Sequence, residues 1–207
     1  MTAEFHYYEP RNGHGLRHNP FKAIVAPRPI GWISSRSAGG ALNLAPYSFF
    51  NAFSEAPPII GFSTTGQKKD TLHNIEETRE FVFNLATRSL AEAMNASAAS
   101  VSPDVSEFEV AGLTPAPSRL VSVPRVQESP AAFECRCTDI LQLKGADGVK
   151  ARAWLVLGEV VAVHIDKAVL RDGVYDTATV EHLARGGGRG DYFWVSDATL
   201  LRMERPD

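Results

Sequence analysis

Three short segments carry the residues best suited to chemistry. Arg28-Pro29-Ile30-Gly31-Trp32-Ile33-Ser34-Ser35 reads as a short strand that opens on an arginine. Asn43-Leu44-Ala45-Pro46-Tyr47-Ser48-Phe49-Phe50-Asn51 follows as a polar, aromatic turn rich in backbone donors. Lys68-Lys69-Asp70-Thr71 then places two ammonium groups ahead of a helix start. A flat heteroaromatic ring needs an apolar wall and hydrogen bonds around its edge. A phosphate needs free N–H groups and positive charge, which a helix N-terminus beside lysines supplies. The set suits a planar polar ring that carries a phosphate tail.

Each half of that site has a plainer alternative. Pro46 holds Ala45 extended and fixes the next turn, which turns the Tyr47 and Ser48 amides and the Ser48 hydroxyl outward. Trp32 and Phe50 are candidates to pack around a ring there. The same residues also make an ordinary strand-to-strand loop with aromatic core positions. At the phosphate end, Thr71 offers a hydroxyl in the first helical turn. Asp70 weighs the other way, because its carboxylate repels phosphate and competes for the same amides. A solvated charged turn with an ordinary Asp cap is the alternative reading.

The elements that must position these residues are mainly β. Phe133-Glu134-Cys135-Arg136-Cys137-Thr138 alternates, with Leu141 and Leu143 on the apolar parity, which predicts a half-buried strand with one wet face. Phe81, Phe83 and Leu85 alternate with Glu80 and Asn84 in the same way. From 153 to 165 both parities are largely apolar, so a strand buried on both sides is expected, with Gly158 as a bulge or bend. Many such strands favour a barrel or sandwich over a doubly wound sheet. Helices are few and short. Asp70 is the expected N-cap of a helix to about Arg79, and Ser89 with Glu92 forms a capping-box pattern opening a helix to about Ala98. A third helix is expected from Thr179 to Arg185, ended by Gly186-Gly187-Gly188. Residues 99–131 hold five prolines, at 103, 115, 117, 124 and 130, and predict extended pieces joined by turns.

In order and spacing, the three opening segments resemble the flavin reductase-like family of FMN-binding split β-barrel proteins. Ala56-Pro57-Pro58-Ile59-Ile60-Gly61-Phe62-Ser63 and Glu80-Phe81-Val82-Phe83-Asn84-Leu85 extend the similarity, as do Gly158-Glu159-Val160-Val161 and the closing Arg185-Gly186-Gly187 ahead of Tyr192. The likeness covers roughly residues 20–195 of a chain read as one domain over 1–207. It implies a Greek-key split β-barrel with a few peripheral helices, and a homodimer with FMN near the subunit interface. It also implies hydride transfer from NADH or NADPH to the flavin, and onward to oxygen, free flavin or a partner oxygenase. A non-catalytic FMN-binding electron carrier and an FMN oxidase acting directly on an organic substrate remain open beside it. Carried over residue by residue, the flavin-contacting positions are Arg28, Trp32, Ile33, Ser34, Ala45, Pro46, Tyr47, Ser48, Asn51, Ser63, Lys68, Lys69, Asp70 and Thr71. No catalytic acid or base is assigned, since hydride transfer needs none. Arg185, Gly187 and Tyr192 match the family's C-terminal pattern, near the nicotinamide or the partner subunit.

Bulk properties narrow the remaining classes. At 207 residues and 44% hydrophobic content the chain can bury a sizeable single core. A net charge of −3 offers no general attraction to nucleic acid or an anionic membrane. The N-terminal residues lack the pattern of a signal peptide, and no apolar run is long enough to span a bilayer, so a cytoplasmic protein is expected. Cys135 and Cys137 share one strand face and, without a companion cluster, read as small buried side chains rather than a metal or redox site. The six histidines show no ligand spacing; His164 reads as a satisfied core or interface residue, and His182 as a possible proton donor near the site. Gly186 to Gly190 follows a helix-like segment, which argues against a dinucleotide fingerprint and for a flexible loop. Neither a Gly-x-Ser-x-Gly elbow nor a His-Glu-x-x-His pair is present, which disfavours hydrolase chemistry.

Overall fold

A computed structural model describes residues 3–102, 105–204 and 206. In chain order its elements are α1 (Phe21–Ile24), β1 (Arg28–Pro29), β2 (Gly31–Arg36), β3 (Leu42–Tyr47), β4 (Phe50–Glu55), β5 (Pro58–Thr65), α2 (Asp70–Thr78) and β6 (Glu80–Leu85). There follow α3 (Ala91–Ala96), α4 (Glu107–Val110), β7 (Pro115–Ala116), β8 (Arg125–Val126), β9 (Ala131–Lys144) and β10 (Lys150–Ile165). The chain closes with β11 (Leu170–Arg171), β12 (Val174–Tyr175), β13 (Leu183–Arg185) and β14 (Tyr192–Trp194).

Seven strands form one sheet in the order β3-β2-β6-β9-β10-β5-β4, and every pairing in it is antiparallel. Its two outermost strands, β3 and β4, are joined by Ser48 and Phe49 alone. Laid flat, the outer strands would stand about 29 Å apart at about 4.8 Å per neighbour. The connection spans at most about 11 Å when fully extended. The sheet therefore has to curl until its ends meet. Where they meet, β3 forms no ladder with β4 or β5, and the Ser63 amide donates to the Phe49 carbonyl at 2.7 Å as the next pair after Phe50–Phe62 of β4 and β5. The result is the expected Greek-key barrel, left split along that seam.

The barrel interior holds Phe62, Phe81, Leu72, Ile75 and Val156, all fully buried. A second cluster behind β2 packs Trp32, Leu44, Met94 and Phe108. β2 divides its side chains between the two, Ile33 inward and Trp32 outward, which buries both of its faces.

Several details depart from the sequence reading. β10 is not buried on both sides; Val163 is 53% exposed and only Val156 and Gly158 are fully covered. Leu141 and Leu143 are also exposed rather than inward. The cause is a bulge: Gly158 pairs with Cys137 but Leu157 with Asp139, so Thr138 is an additional residue that flips every later side chain. Ile140 takes the inward place opposite Val156.

Glu134, expected on a wet face, is fully buried. It accepts from the amides of Arg119 (2.7 Å), Leu120 (2.6 Å) and Val121 (3.1 Å), and His164 Nε2 lies 2.6 Å away. One carboxylate thus anchors the proline-rich loop that covers β9, and His164 is a satisfied histidine as expected. That loop also contains α4 and the β7–β8 pair; Pro103 lies outside the described residues.

The helices shift too. Lys69 rather than Asp70 is the N-cap of α2, and no side chain caps it. The Ser89 capping box does not form, because Ser89 Oγ pairs with Thr87 Oγ1 at 2.9 Å and a 3₁₀ turn precedes α3. The third expected helix is β13, held between β1 and β14. Asp176 takes the Thr179 hydroxyl (2.8 Å) and the Ala178 amide into a turn, which leaves no helix start. Cys135 and Cys137 are buried free thiols, both pushed up in pKa by burial.

Two outcomes follow from this packing. A Cβ at Gly158 would lie 2.4 Å from the buried Phe81 ring. Gly158→Ala should therefore cost about 1–3 kcal/mol in urea unfolding, and no loss would mean that the ring can yield. For Glu134, burial raises the pKa, but the bonds from His164 and the three amides outweigh it, and the net shift is downward. Its contribution is complete above the ordinary carboxylate range and is lost as pH falls through the lowered folded value. Glu134→Gln should be less stable than the parent at neutral pH, with the gap closing as pH drops below about 4.3; a gap independent of pH would contradict the assignment.

Candidate functional site

The split seam opens into a cleft of about 540 Å³. β3 contributes Ala45, Pro46 and Tyr47, β5 contributes Ser63, and the start of α2 contributes Asp70 and Thr71, with Ser48, Lys68 and Lys69 from the connecting turns. Nine of the predicted positions thus converge on one surface. A second cavity of about 360 Å³ continues from it past Ser48, Phe49 and Ser63, and adds Arg28 and Asn51. Trp32, Ile33 and Ser34 line neither cavity. Trp32 and Ile33 are core residues; the Trp32 indole donates to Ser97 Oγ (2.9 Å), and the Ser34 hydroxyl donates to the Pro124 carbonyl (2.6 Å).

At the α2 end the arrangement suits an anion. The first helical bonds are those from Leu72 and His73 to the Lys69 carbonyl, so the amides before Leu72 have no intrahelical partner. The two lysines differ. Lys68 Nζ is 2.5 Å from Glu76 and lies over the Trp154 ring, whereas Lys69 makes no ion pair among the described residues. Thr64 Oγ1 is buried beside the cleft without a hydrogen-bond partner. An orphaned buried hydroxyl of this kind is a donor in want of an acceptor. Asp70 sits in the same wall, and its charge helps to raise the Tyr47 and Glu107 pKa values.

At the other end the groups suit a ring edge. Ser48 stands outside both flanking ladders, and its hydroxyl meets Arg28 Nε at 3.5 Å. The Arg28 guanidinium is otherwise spent on carbonyls, those of Lys22, Val25 and Gly186 (2.9 Å), which ties α1 and the glycine run to this turn. Burial, then the charge of Arg185, lowers its pKa. Tyr47 does not face the ring end. Its ring packs on Phe62 at 4.7 Å, and burial first of all pushes its pKa up to about 12, with Thr71 acting in the opposite direction. Phe50 stacks on Phe83 at 4.9 Å and keeps an edge in the second cavity. The glycine run is a packed turn rather than a loose one: a Cβ at Gly187 would meet Ala23 at 2.4 Å, and Asp191 takes the Gly188 amide at 2.8 Å. Arg185 lies over Tyr192 at 4.6 Å and bonds the Asp191 and Arg189 carbonyls, which braces that turn.

Sequence reasoning missed Asn43, Thr64 and Glu107. Asn43 Nδ2 donates to Thr71 Oγ1 (2.7 Å) and Ser35 Oγ (3.3 Å), and Asn74 Nδ2 reaches the same Ser35 hydroxyl (3.1 Å). This buried network fixes α2 against β2 and β3. Asn43 stood in the opening motif, and a polar residue at the start of an apolar strand was the available signal. Glu107 accepts from the Leu44 amide at 3.1 Å and is brought in from a distant loop with no periodicity to announce it. Asn43→Ala should lower stability by about 1–3 kcal/mol in urea unfolding, because it strands buried hydroxyl partners; a neutral effect would remove the network from the account of how α2 is held.

Known proteins resemble this chain in sequence and in fold. The BH2278 protein of Halalkalibacterium halodurans is 37% identical over 168 residues, 79% of this chain and 80% of that one. The structure of nitrilotriacetate monooxygenase component B from Bacillus cereus superposes with a TM-score of 0.84 at 30% identity, covering 97% of this chain and 100% of that chain. The 2-nitrobenzoate 2-nitroreductase NbaA of Pseudomonas fluorescens gives 0.77 at 30% identity, covering 90% and 88%. The flavin reductase like domain matches residues 25–184, from the strand that carries Arg28 to the one that closes the barrel mouth, and the chain belongs to the flavin reductase-like family.

Proposed function

We propose that this protein is an FMN-dependent oxidoreductase of the flavin reductase type, using NADH or NADPH as hydride source and passing electrons to oxygen, a free flavin or a partner oxygenase. The observation that carries the reading is the seam cleft, with an open helix start, Lys69, Thr71 and the orphaned Thr64 hydroxyl at one end. The uncharged donor of Ser48, oriented by Arg28, and Asn51 stand at the other end. That donor set fits a phosphate joined to a polar ring. Bound FMN would supply a two-electron centre that no side chain here provides.

The chain's own part is positioning. The α2 amides and Thr71 would hold the phosphate, and the network through Asn43 keeps them in place. Ser48 and its backbone would donate to the ring edge where negative charge grows on reduction. Pro46 and the Arg28 clamp fix the turn beforehand, so little order is lost on binding. The likeness to a monooxygenase component B supports an oxygenase partner. Exposed apolar side chains at both ends of the β9–β10 pair, Leu141 and Leu143 at one and Val163 and Ile165 at the other, support a homodimer. No helix among the described residues is long and apolar enough to cross a membrane, and two free cysteines suit a reducing cytoplasm.

A second reading is favoured by the 30% identity to a nitroreductase: direct reduction of an organic substrate on the same barrel. Anaerobic titration of the FMN-loaded protein with NADH and then NADPH tests the hydride source that both readings need, and reoxidation of the reduced flavin by 2-nitrobenzoate rather than by oxygen or free flavin separates the two. Rapid loss of flavin absorbance with either nucleotide is expected; flavin that binds but stays oxidised would overturn both readings in favour of a carrier or an FMN oxidase reduced directly by its organic substrate. The phosphate assignment has its own test. Lys69→Ala with Thr71→Ala should weaken FMN binding at least about tenfold, roughly 1.4 kcal/mol, in a fluorescence titration. Unchanged affinity would place the phosphate elsewhere.

A further inference from the structure

Beyond Asn51 the second cavity gives onto a third, of about 520 Å³, at the barrel mouth, and the two share Pro27, Pro29, Phe50 and Asn51. Its volume is ordinary for a small-molecule site. The chemistry of its walls is unlike that of the seam. Phe50, Phe83 and Phe133 form a run of rings at 4.9 and 5.3 Å spacing, and the C-terminal segment closes the mouth with Leu183 and Val195. No lysine, arginine, aspartate or glutamate lines it.

Into this apolar space the fold sets one hydrogen-bonded pair, Tyr175 Oη and His182 Nε2, 2.8 Å apart with their rings edge to face. Burial lowers the His182 pKa and raises that of Tyr175, so at neutral pH both are uncharged. A neutral imidazole and a phenol own one N–H and one O–H between them. Their mutual bond uses one of these in either tautomer. The other has no side-chain acceptor among the described residues, and on these half-buried side chains it is free to meet an acceptor bound in the cavity.

We propose that the barrel-mouth cavity is a binding site for a small uncharged aromatic molecule bearing a carbonyl-type acceptor, stacked on the phenylalanine run and hydrogen-bonded by the Tyr175–His182 pair. A carboxylate is disfavoured because no cation meets it there, and a plain hydrocarbon because it leaves the spare donor unpaired. The site stands on its own geometry and does not depend on the flavin assignment, although its position places such a ligand beside the ring end of the seam.

The test uses three probes of similar size, acetophenone, benzoate and ethylbenzene, titrated into the full chain with and without FMN and followed by ligand-observed NMR together with protein-observed spectra of the histidine rings. Acetophenone should bind at least about fivefold more tightly than either of the others, in both preparations, and should shift the His182 ring resonances. In Tyr175→Phe/His182→Leu the preference over ethylbenzene should fall to within about twofold. Equal binding of acetophenone and ethylbenzene to the parent, binding without a shift at His182, or no binding of acetophenone would each overturn the proposal, whether or not the double variant folds. FMN affinity, read in the same samples, reports separately on the seam: its loss with acetophenone binding intact counts against the flavin reading alone.

Discussion

The two-residue link between β3 and β4 is the constraint on which the rest of the molecule depends. Ser48 and Phe49 join strands at opposite ends of a seven-stranded sheet, so the sheet can exist only as a closed or nearly closed barrel. Closure is covalent, through that link, and β3 forms no ladder with β4 or β5 across the seam. An unpaired seam in a β-protein exposes backbone donors that need partners. Here the seam is filled by the start of α2 and by polar side chains, so the defect in the barrel and the binding cleft are one feature.

Rigidity around the cleft comes from buried polar contacts more than from the hydrophobic core. Ser35 accepts from both Asn43 and Asn74, and Asn43 also holds Thr71, so β2, β3 and α2 share one network. Arg28 does the same for α1, the ring-end turn and the glycine run through its bonds to carbonyls and Ser48. Such networks are costly when half made and specific when complete. Glu134 repeats the device on the far side of the sheet, where a single carboxylate collects three consecutive amides of the covering loop.

Much of this was legible in the sequence, and the failures have physical causes. Alternation in 80–85 and 133–137 located β6 and β9, and the turn residues around Pro46 and the Lys68–Thr71 run located the cleft wall. Strand pattern alone could not place Trp32 and Ser34, because a strand covered on both faces looks the same as one that lines a site. The bulge at Thr138 reversed the faces of Leu141 and Leu143, and nothing in local composition marks a single additional residue. The helix expected at 179–185 was lost to a sheet edge offered by β1, a partner more than 150 residues away. Glu134 and Glu107 were unreadable because what bonds each of them lies outside its own segment, the 119–121 loop for Glu134 and the Leu44 amide of β3 for Glu107.

The seam's electrostatics set how its binding has to work. Of the two lysines that drew attention in the sequence, Lys68 is already paired with Glu76, and Lys69, like Lys22 on the same cleft, has no ion pair among the described residues. Against them stand Asp70 and the buried Glu107, whose own pKa is raised by burial and, to a lesser degree, by Asp70. Net charge therefore does little for an anion at this end. What distinguishes the position is a set of directed donors, the amides at the start of α2 and the Thr71 hydroxyl, held by Asn43, with the buried Thr64 hydroxyl beside them. Directed donors in a preset geometry discriminate by shape and acceptor pattern, whereas a cluster of cations would take any phosphate. The same logic governs the mouth, where aromatic walls and one spare donor replace charge altogether.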